Sequence, residues 1–400
     1  MSRIDELIAE LAPKGVKHVP LSAVTGYSNT RVDASELDET NFVGVDNLIS
    51  NKGGKTDASY LPNTARLTAY EAGDILLGNI RPYLKKVWFA TESGGCSGDV
   101  LAIRISNAHR ESIEPKFLYY LLSSDGFFVY NMQHAKGAKM PRGNKEAILN
   151  FRIPIPPLDV QREIVRVLNQ FTELEAGLEA ELEARRRQYI FYRDSLLLAT
   201  DAPKVAMGEL GTFIRGRRFT KNDVVESGIP SIHYGEIYTD YGVSASCALR
   251  EVRSDLASRL RFAQPRDVIF AGVGETVEDV GKAVAWLGDE PVAVHDDTFS
   301  FTSDMNPKYV AYAVQTGDFH SQKANYVARG KVKRLSALGL TKIKIPVPSA
   351  EEQERIVSIL DKFDALLHDP SIGLPAELTA RRTQYEYYRD KLLSFEESVT

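Results

Sequence analysis

Four hundred residues with 43% hydrophobic and 26% charged side chains make an ordinary globular chain of two or three domains. Cys96 and Cys247 alone exclude a disulfide framework and a cysteine-rich zinc site. No stretch approaches the ~18 continuous apolar residues of a membrane span, and none near the N-terminus has the apolar core of a signal peptide, so a cytoplasmic protein is expected. The formal net charge of −5 weighs against a uniformly basic surface, so any nucleic-acid contact must come from local clusters.

Residues 1–13 read as an amphipathic, mostly acidic helix. A strand-rich stretch punctuated by Gly and Pro follows, to residue 157, with candidate strands at Ile75–Leu77 and Val100–Ile103. Gly54-Lys55-Thr56 resembles the end of a phosphate-binding loop, but Ile49 stands where its first glycine is required. Asp99, Glu114 and Lys116 imitate a nuclease acid–acid–lysine set, a triple that arises often by chance. Arg81, Lys85 and Lys86 follow the first candidate strand, and Lys136, Lys139, Arg142 and Lys145 fall in one short run without an acid. Such runs, interleaved with Gly and Tyr, suit loops lying along a phosphate backbone.

Ile153-Pro154-Ile155-Pro156 then stops the strand pattern, and Asp159 stands where a helix N-cap belongs. Phe171, Leu174, Leu178, Leu182, Arg185, Tyr189, Tyr192 and Leu196 recur at steps of three and four, which predicts a seam on one helix over 158–200. At ~1.5 Å per residue that helix is about 60 Å long, more than one domain core needs, so a partner seam is expected. Glu173, Glu175, Glu179, Glu181 and Glu183 crowd this helix, which segregates acid there and base on the domains.

Residues 201–348 form a second strand-rich stretch, with candidate strands at Val268–Phe270 and Phe299–Phe301 and basic clusters at Arg215, Arg217, Arg218, Lys221 and at Arg329, Lys331, Lys333, Arg334. His295-Asp296-Asp297 places two acids directly beside a histidine; it reads as a solvated loop, and no metal site is expected. Asn306-Pro307-Lys308-Tyr309 approximates an adenine-methylating loop, but Lys308 breaks the pattern and Glu114 replaces the asparagine in the first half. Ile345-Pro346-Val347-Pro348 precedes Ser349, a second candidate N-cap, and a second helix over 349–400. Its seam is Leu374, Leu378, Tyr385, Tyr388 and Leu392, with His368-Asp369-Pro370 and Gly373-Leu374-Pro375 weighing against continuity over 368–375.

The two halves are one design written twice. Arg185–Leu197 and Arg381–Leu393 match at nine of thirteen positions at a constant offset of 196, and the Pro-X-Pro segments match at 192. At that same offset Gln161, Ile164, Val165 and Leu168 meet Gln353, Ile356, Val357 and Leu360, and Arg142 meets Arg334. A tandem duplication of a strand-rich domain followed by a long helix is expected, with domains at 1–157 and 201–348 and helices at 158–200 and 349–400. No residue set converges on catalysis. Arg142 and Arg334 are expected at phosphates, and Arg81 and Arg217, in turn-like loops, at base edges.

A Pro-X-Pro segment, Gln-X-X-Ile-Val, a long helix and Tyr-Arg-Asp-X-Leu-Leu, all repeated, resemble the specificity subunits of type I restriction–modification enzymes. Gly73–Leu84 is similar to a segment common in their target-recognition domains. The resemblance implies an α+β fold with two target-recognition domains and helices paired as an antiparallel coiled coil with pseudo-twofold symmetry. It implies a non-catalytic subunit reading a bipartite target in double-stranded DNA, together with two modification and two restriction subunits. S-adenosylmethionine, ATP and Mg would belong to those partners and no cofactor to this chain. Phe171, Leu174, Leu178, Tyr189, Tyr192, Leu196, Leu378, Tyr385, Tyr388 and Leu392 would serve helix pairing or partner docking. The alternatives are the recognition region of a fused methyltransferase or nuclease, and a helical scaffold without nucleic acid.

Overall fold

The computed structural model describes residues 3–199, 201–328, 330–369 and 371–398. The chain divides into two compact units, Met1–Leu178 with Leu378–Thr400, and Glu179–Glu377. These boundaries fall inside the helices, not at residues 157 and 348, where the sequence pattern changes. Each unit thus holds one strand-rich domain, the start of the helix that follows it, and the far end of the other copy's helix.

In the first unit, Val100–Ile105 lies between Thr25–Tyr27 and Ile75–Gly78, and Val87–Phe89 completes this antiparallel sheet. Strand alternation sends Ile75, Leu77, Leu101 and Ile103 to a core shared with Phe117, Leu118 and Phe127 of the helices Pro115–Leu122 and Asp125–Gln133. Leu76, Val100 and Ala102 face the opposite way, onto Val43, Tyr70 and Cys96 of a second sheet. That sheet is ordered Arg31–Asp33, Arg66–Tyr70, Gly94–Cys96 and Phe42–Val43, the last pair parallel. Because both faces are covered, these central strands read as continuous apolar runs. Lys17–Pro20 pairs with Arg152–Ile155, and the amphipathic helix Arg3–Leu11 buries Ile4 and Leu7.

The second unit repeats the plan. Thr298–Ser303 pairs with Gly211–Arg215 and Val268–Ala271, and Ala283–Trp286 and Ser244–Ala245 extend the sheet. Phe270 and Phe301 face the helix Pro307–Ala313, while Ile269, Val284 and Trp286 face Ile232, Val292 and Val294 of a second five-stranded sheet.

The first long helix is Leu158–Leu198. Asp159 lies within its first turn, so it is not the N-cap; the Pro157 carbonyl accepts from the Val160 and Gln161 amides. Ser349 does cap its helix, accepting from the Glu352 amide. The second helical stretch is Ala350–His368 followed by Gly373–Leu392, with Gly373 at φ +71°. A Cβ there would lie 2.5 Å from the Leu366 carbonyl oxygen, so the chain restarts on a residue without one.

Helix contacts run antiparallel within each unit. In the first, Phe171 stacks on Tyr388 at 5.7 Å and meets Tyr385 at 6.2 Å, while Glu175 accepts from Arg382 one turn on. In the second, Tyr189 meets His368 at 6.3 Å and Tyr192 stacks on Phe363 at 6.3 Å. The paired ends are continuous with the domain cores: Leu393, Leu392 and Tyr385 join the first, and Leu182, Tyr189 and Leu197 join the second. Leu378 is buried and Leu178 half-buried, and Leu196 packs against the second core; Leu174, 57% exposed, is not part of the seam. No helix among the described residues is long and apolar enough to cross a membrane.

Candidate nucleic-acid interface

Two buried glutamines fix each domain to its helix in the same way. Gln161 accepts from the Glu114 amide and donates to the Pro156 and Ser112 carbonyls. Gln353 accepts from the Asn306 amide and donates to the Pro348 carbonyl. Asn306 itself caps the helix Pro307–Ala313, which accounts for the asparagine of the Asn-Pro-Lys-Tyr segment without methyl transfer. Lys55 of the Gly-Lys-Thr segment is occupied by Glu92 at 3.0 Å and the Trp88 ring at 5.3 Å.

In the first unit Arg81 and Lys86 line a cavity of about 750 Å³ together with Asp99, Arg31 and Arg66. Arg81 sits in the left-handed region at φ 52°, with Lys85 at φ 51° across the intervening turn. Neighbouring Asn51 and Lys52 are left-handed as well, and their amides donate to the Leu84 and Lys85 carbonyls. Such backbone strain persists only where the surroundings enforce it. Lys85 turns away to Asp125 at 2.7 Å, and Lys86 donates to the Val45 carbonyl. Lys136, Lys139 and Lys145 are exposed and form no ion pair among the described residues, whereas Arg142 is bonded twice to Asp99, at 2.9 and 3.2 Å.

In the second unit Arg215, Arg218 and Arg334 line a polar cavity of about 470 Å³ with His233, His295, Asp296 and Asp297. Arg215 reaches Asp296 and Asp297 at 3.7 and 4.0 Å, and Arg334 reaches Asp297 at 3.2 Å. Arg217, Arg218, Lys221 and Lys331 are exposed without an ion pair among the described residues, and Lys333 donates to the Gly330 carbonyl. Arg329 lies outside the described residues. His295, Asp296 and Asp297 gather ligand atoms within 4.8 Å of one another. Their surroundings suit a cation poorly: the carboxylates already face two arginines, and His295 Nδ1 accepts from the Asp297 amide. Burial, and then the neighbouring His295, push the His233 imidazole down to about 4.

The basic residues therefore divide into free surface cations and cations fixed by a carboxylate, a division that clusters in a sequence cannot express. Arg31 and Arg66 were missed because each stands singly on a strand, with Arg31 bonded to Thr68 and Arg66 to Asp33.

The family model described as the type I restriction modification DNA specificity domain matches residues 13–184 and 201–380. A putative type I restriction enzyme specificity subunit of Haemophilus influenzae is 29% identical over 295 residues, spanning 72% of this chain and 74% of that protein. The type I restriction enzyme EcoR124I/EcoR124II specificity subunit of Escherichia coli is 34% identical over 263 residues, 62% of this chain and 64% of that one. A solved chain from work on complex assembly and conformational transition of the type I restriction–modification system shares the fold, with a TM-score of 0.67 at 20% identity over 95% of this chain and 98% of that one.

Proposed function

Because the chain belongs to the type I restriction–modification DNA specificity family, we propose that each of its two units reads one half of a bipartite DNA target and that the long helices set the gap between the halves. The chain is a recognition subunit and not an enzyme. The observation that supports the division of labour is the duplication itself. One domain architecture occurs twice, each copy carrying exposed cations around a cleft beside its central strand.

Phosphate contacts fall to the cations without an acid partner: Lys136, Lys139 and Lys145 in the first unit, and Arg218, Lys221 and Lys331 in the second. The acidic helix does not oppose this, because a field near the clefts is governed by charges within a Debye length of about 8–10 Å. Two modification and two restriction subunits complete the assembly in the cytoplasm, carrying S-adenosylmethionine, ATP and Mg.

Methylation-site mapping of the complex with its modification subunits tests the reading. The expected outcome is a two-part target, with binding to random-sequence DNA that falls steeply with salt. Methylation without sequence preference, or binding indifferent to salt, would refute it.

A further inference from the structure

Arg142 and Arg334 stand on one frame built twice. Arg142 bridges Ile80, and Arg334 pairs with Val273, each the fifth residue after the start of a central strand. Arg142 also bridges Lys136, as Arg334 pairs with Ala328. The acid partner comes in both cases from the residue just before the other central strand, Asp99 before Val100 and Asp297 before Thr298. The Asp99 carbonyl accepts from the Asn79 amide at 2.8 Å, and the Asp297 carbonyl from the Gly272 amide at 2.7 Å. The Asn79 and Gly272 carbonyls in turn accept from Gly143 and Leu335, the residues following the arginines, both at 2.9 Å. The other basic clusters of the two domains do not coincide in this way.

An exposed ion pair adds little to stability, and the arginines are 54% and 59% exposed, so holding the fold together is a weak account of the repetition. Phosphate binding is also a poor use for them. A guanidinium neutralised by a carboxylate releases few counterions, and the acid would lie close to the phosphates. What the pair does achieve is orientation. Arg142 donates to Asp99 through Nε and Nη2, leaving Nη1 and the second Nη2 hydrogen as a two-donor edge. Arg334 donates through Nη1, leaving Nε and Nη2 as a two-donor edge. Two parallel donors held in place match the O6 and N7 acceptors of guanine in the major groove.

We propose that Arg142 and Arg334 are equivalent base readers, each set by its aspartate to recognise a guanine in one half-site. This rests on the bipartite reading above and reassigns the two residues from phosphate to base.

The test uses the assembled complex with modification subunits, mapping methylated sites on a randomised DNA library for the wild type and for Arg142→Ala, Arg142→Lys, Asp99→Asn and Arg334→Ala. Expected for Arg142→Ala and Arg142→Lys is a loss of about tenfold or more in preference at one G·C position of one half-site. The other half-site and the salt dependence on random DNA should stay unchanged. Arg334→Ala should do the same in the other half-site. Asp99→Asn, which keeps an acceptor while removing the charge, should weaken the same position as Arg142→Ala. A uniform loss across all sequences that Lys restores, with a shallower salt slope, would mean a phosphate contact and overturn the proposal. So would an unchanged target with folding intact by melting curve. A wild-type complex that selects no sequence would instead overturn the bipartite reading.

Discussion

Arg193 and Arg389 hold the same place in the two Tyr-Arg-Asp repeats, and both are buried. Each guanidinium donates to the following aspartate and lies near a tyrosine ring one turn back, at 5.9 Å for Tyr189 and 5.8 Å for Tyr385. Asp194 accepts from the Gly317 amide at a domain helix N-terminus, while Arg389 reaches Asp125 at the equivalent helix. Burial opposes the charge on Asp125, but hydrogen bonds from Lys85 and Lys52, with the charges of Lys52 and Arg389, hold its carboxyl well below the usual range. A depressed carboxylate contributes stability that is present above its unfolded value near 4 and lost as pH falls through the folded one. Asp125→Asn should therefore flatten the acid limb of the first unit's unfolding below about pH 4. Arg389→Ala should cost about 2–3 kcal/mol, less than a fully buried pair because Asp125 is partly exposed. Urea melts of both variants across pH decide this, and an acid limb identical to wild type would dissociate Asp125 from the effect. His233 acts in the next higher pH window. Its Nδ1 accepts from the Gly235 amide as a helix cap, which only the neutral ring can do. With a folded value of about 4 against 6.5 unfolded, the second unit should lose stability as pH falls from 6.5 towards 4, then level off. His233→Asn, which caps without titrating, should shrink that slope in pH-dependent melting. At this scale the sequence pattern showed that Arg193 and Arg389 repeat, but not that they are buried, because an arginine in a helical seam reads the same whether its partner is water or an aspartate.

Tyr189 shows what the helical periodicity could and could not convey. Its spacing placed it on the seam, and it is buried beside His368 and the Arg193 guanidinium. Its hydroxyl has no hydrogen-bond partner among the described residues. Tyr189→Phe is therefore expected to change stability by less than about 0.5 kcal/mol, or to raise it slightly, since no bond is lost. Tyr189→Asp brings a carboxylate into the same apolar site and should cost several kcal/mol. Thermal melts compare the two; an aspartate tolerated as well as phenylalanine would place residue 189 in water. Leu174 marks where periodicity failed. A step of three from Phe171 is as regular as the others, yet the paired stretch there is occupied by Tyr385, Tyr388 and the Glu175–Arg382 bond, which leaves Leu174 outside. Strands gave the firmer reading, because Ile75–Leu77, Val100–Ile103 and Val268–Phe270 are covered on both faces and so contain no polar interruption.

For the molecule as a whole, the duplication could be read directly from residue identities, since matched spacing survives when individual positions drift. The exchange of helix ends could not. The seams and the resemblance pointed to antiparallel pairing of the two long helices, but only packing shows Leu393 entering the first core and Leu197 the second. That exchange gives the helices a measurable role if they set the gap between half-sites. In the first unit Glu175 meets Arg382, and in the second Tyr189 meets His368, each pair in antiparallel register within its own unit. A heptad inserted within Glu173–Glu183, with a matching heptad before Glu377, would keep that register. Seven residues lengthen a helix by ~10 Å and rotate its continuation by only about 20° from a whole number of turns. Roughly three base pairs of DNA span the same distance but rotate by about 100°, since B-DNA turns once per ~10–10.5 base pairs. The expected result is unchanged bases in each half-site and a gap longer by about two to four base pairs. Binding should also weaken, because the DNA must untwist to present both grooves together. Methylation-site mapping of the lengthened complex decides it: a fixed gap with altered half-site bases would mean that the helices do not measure distance.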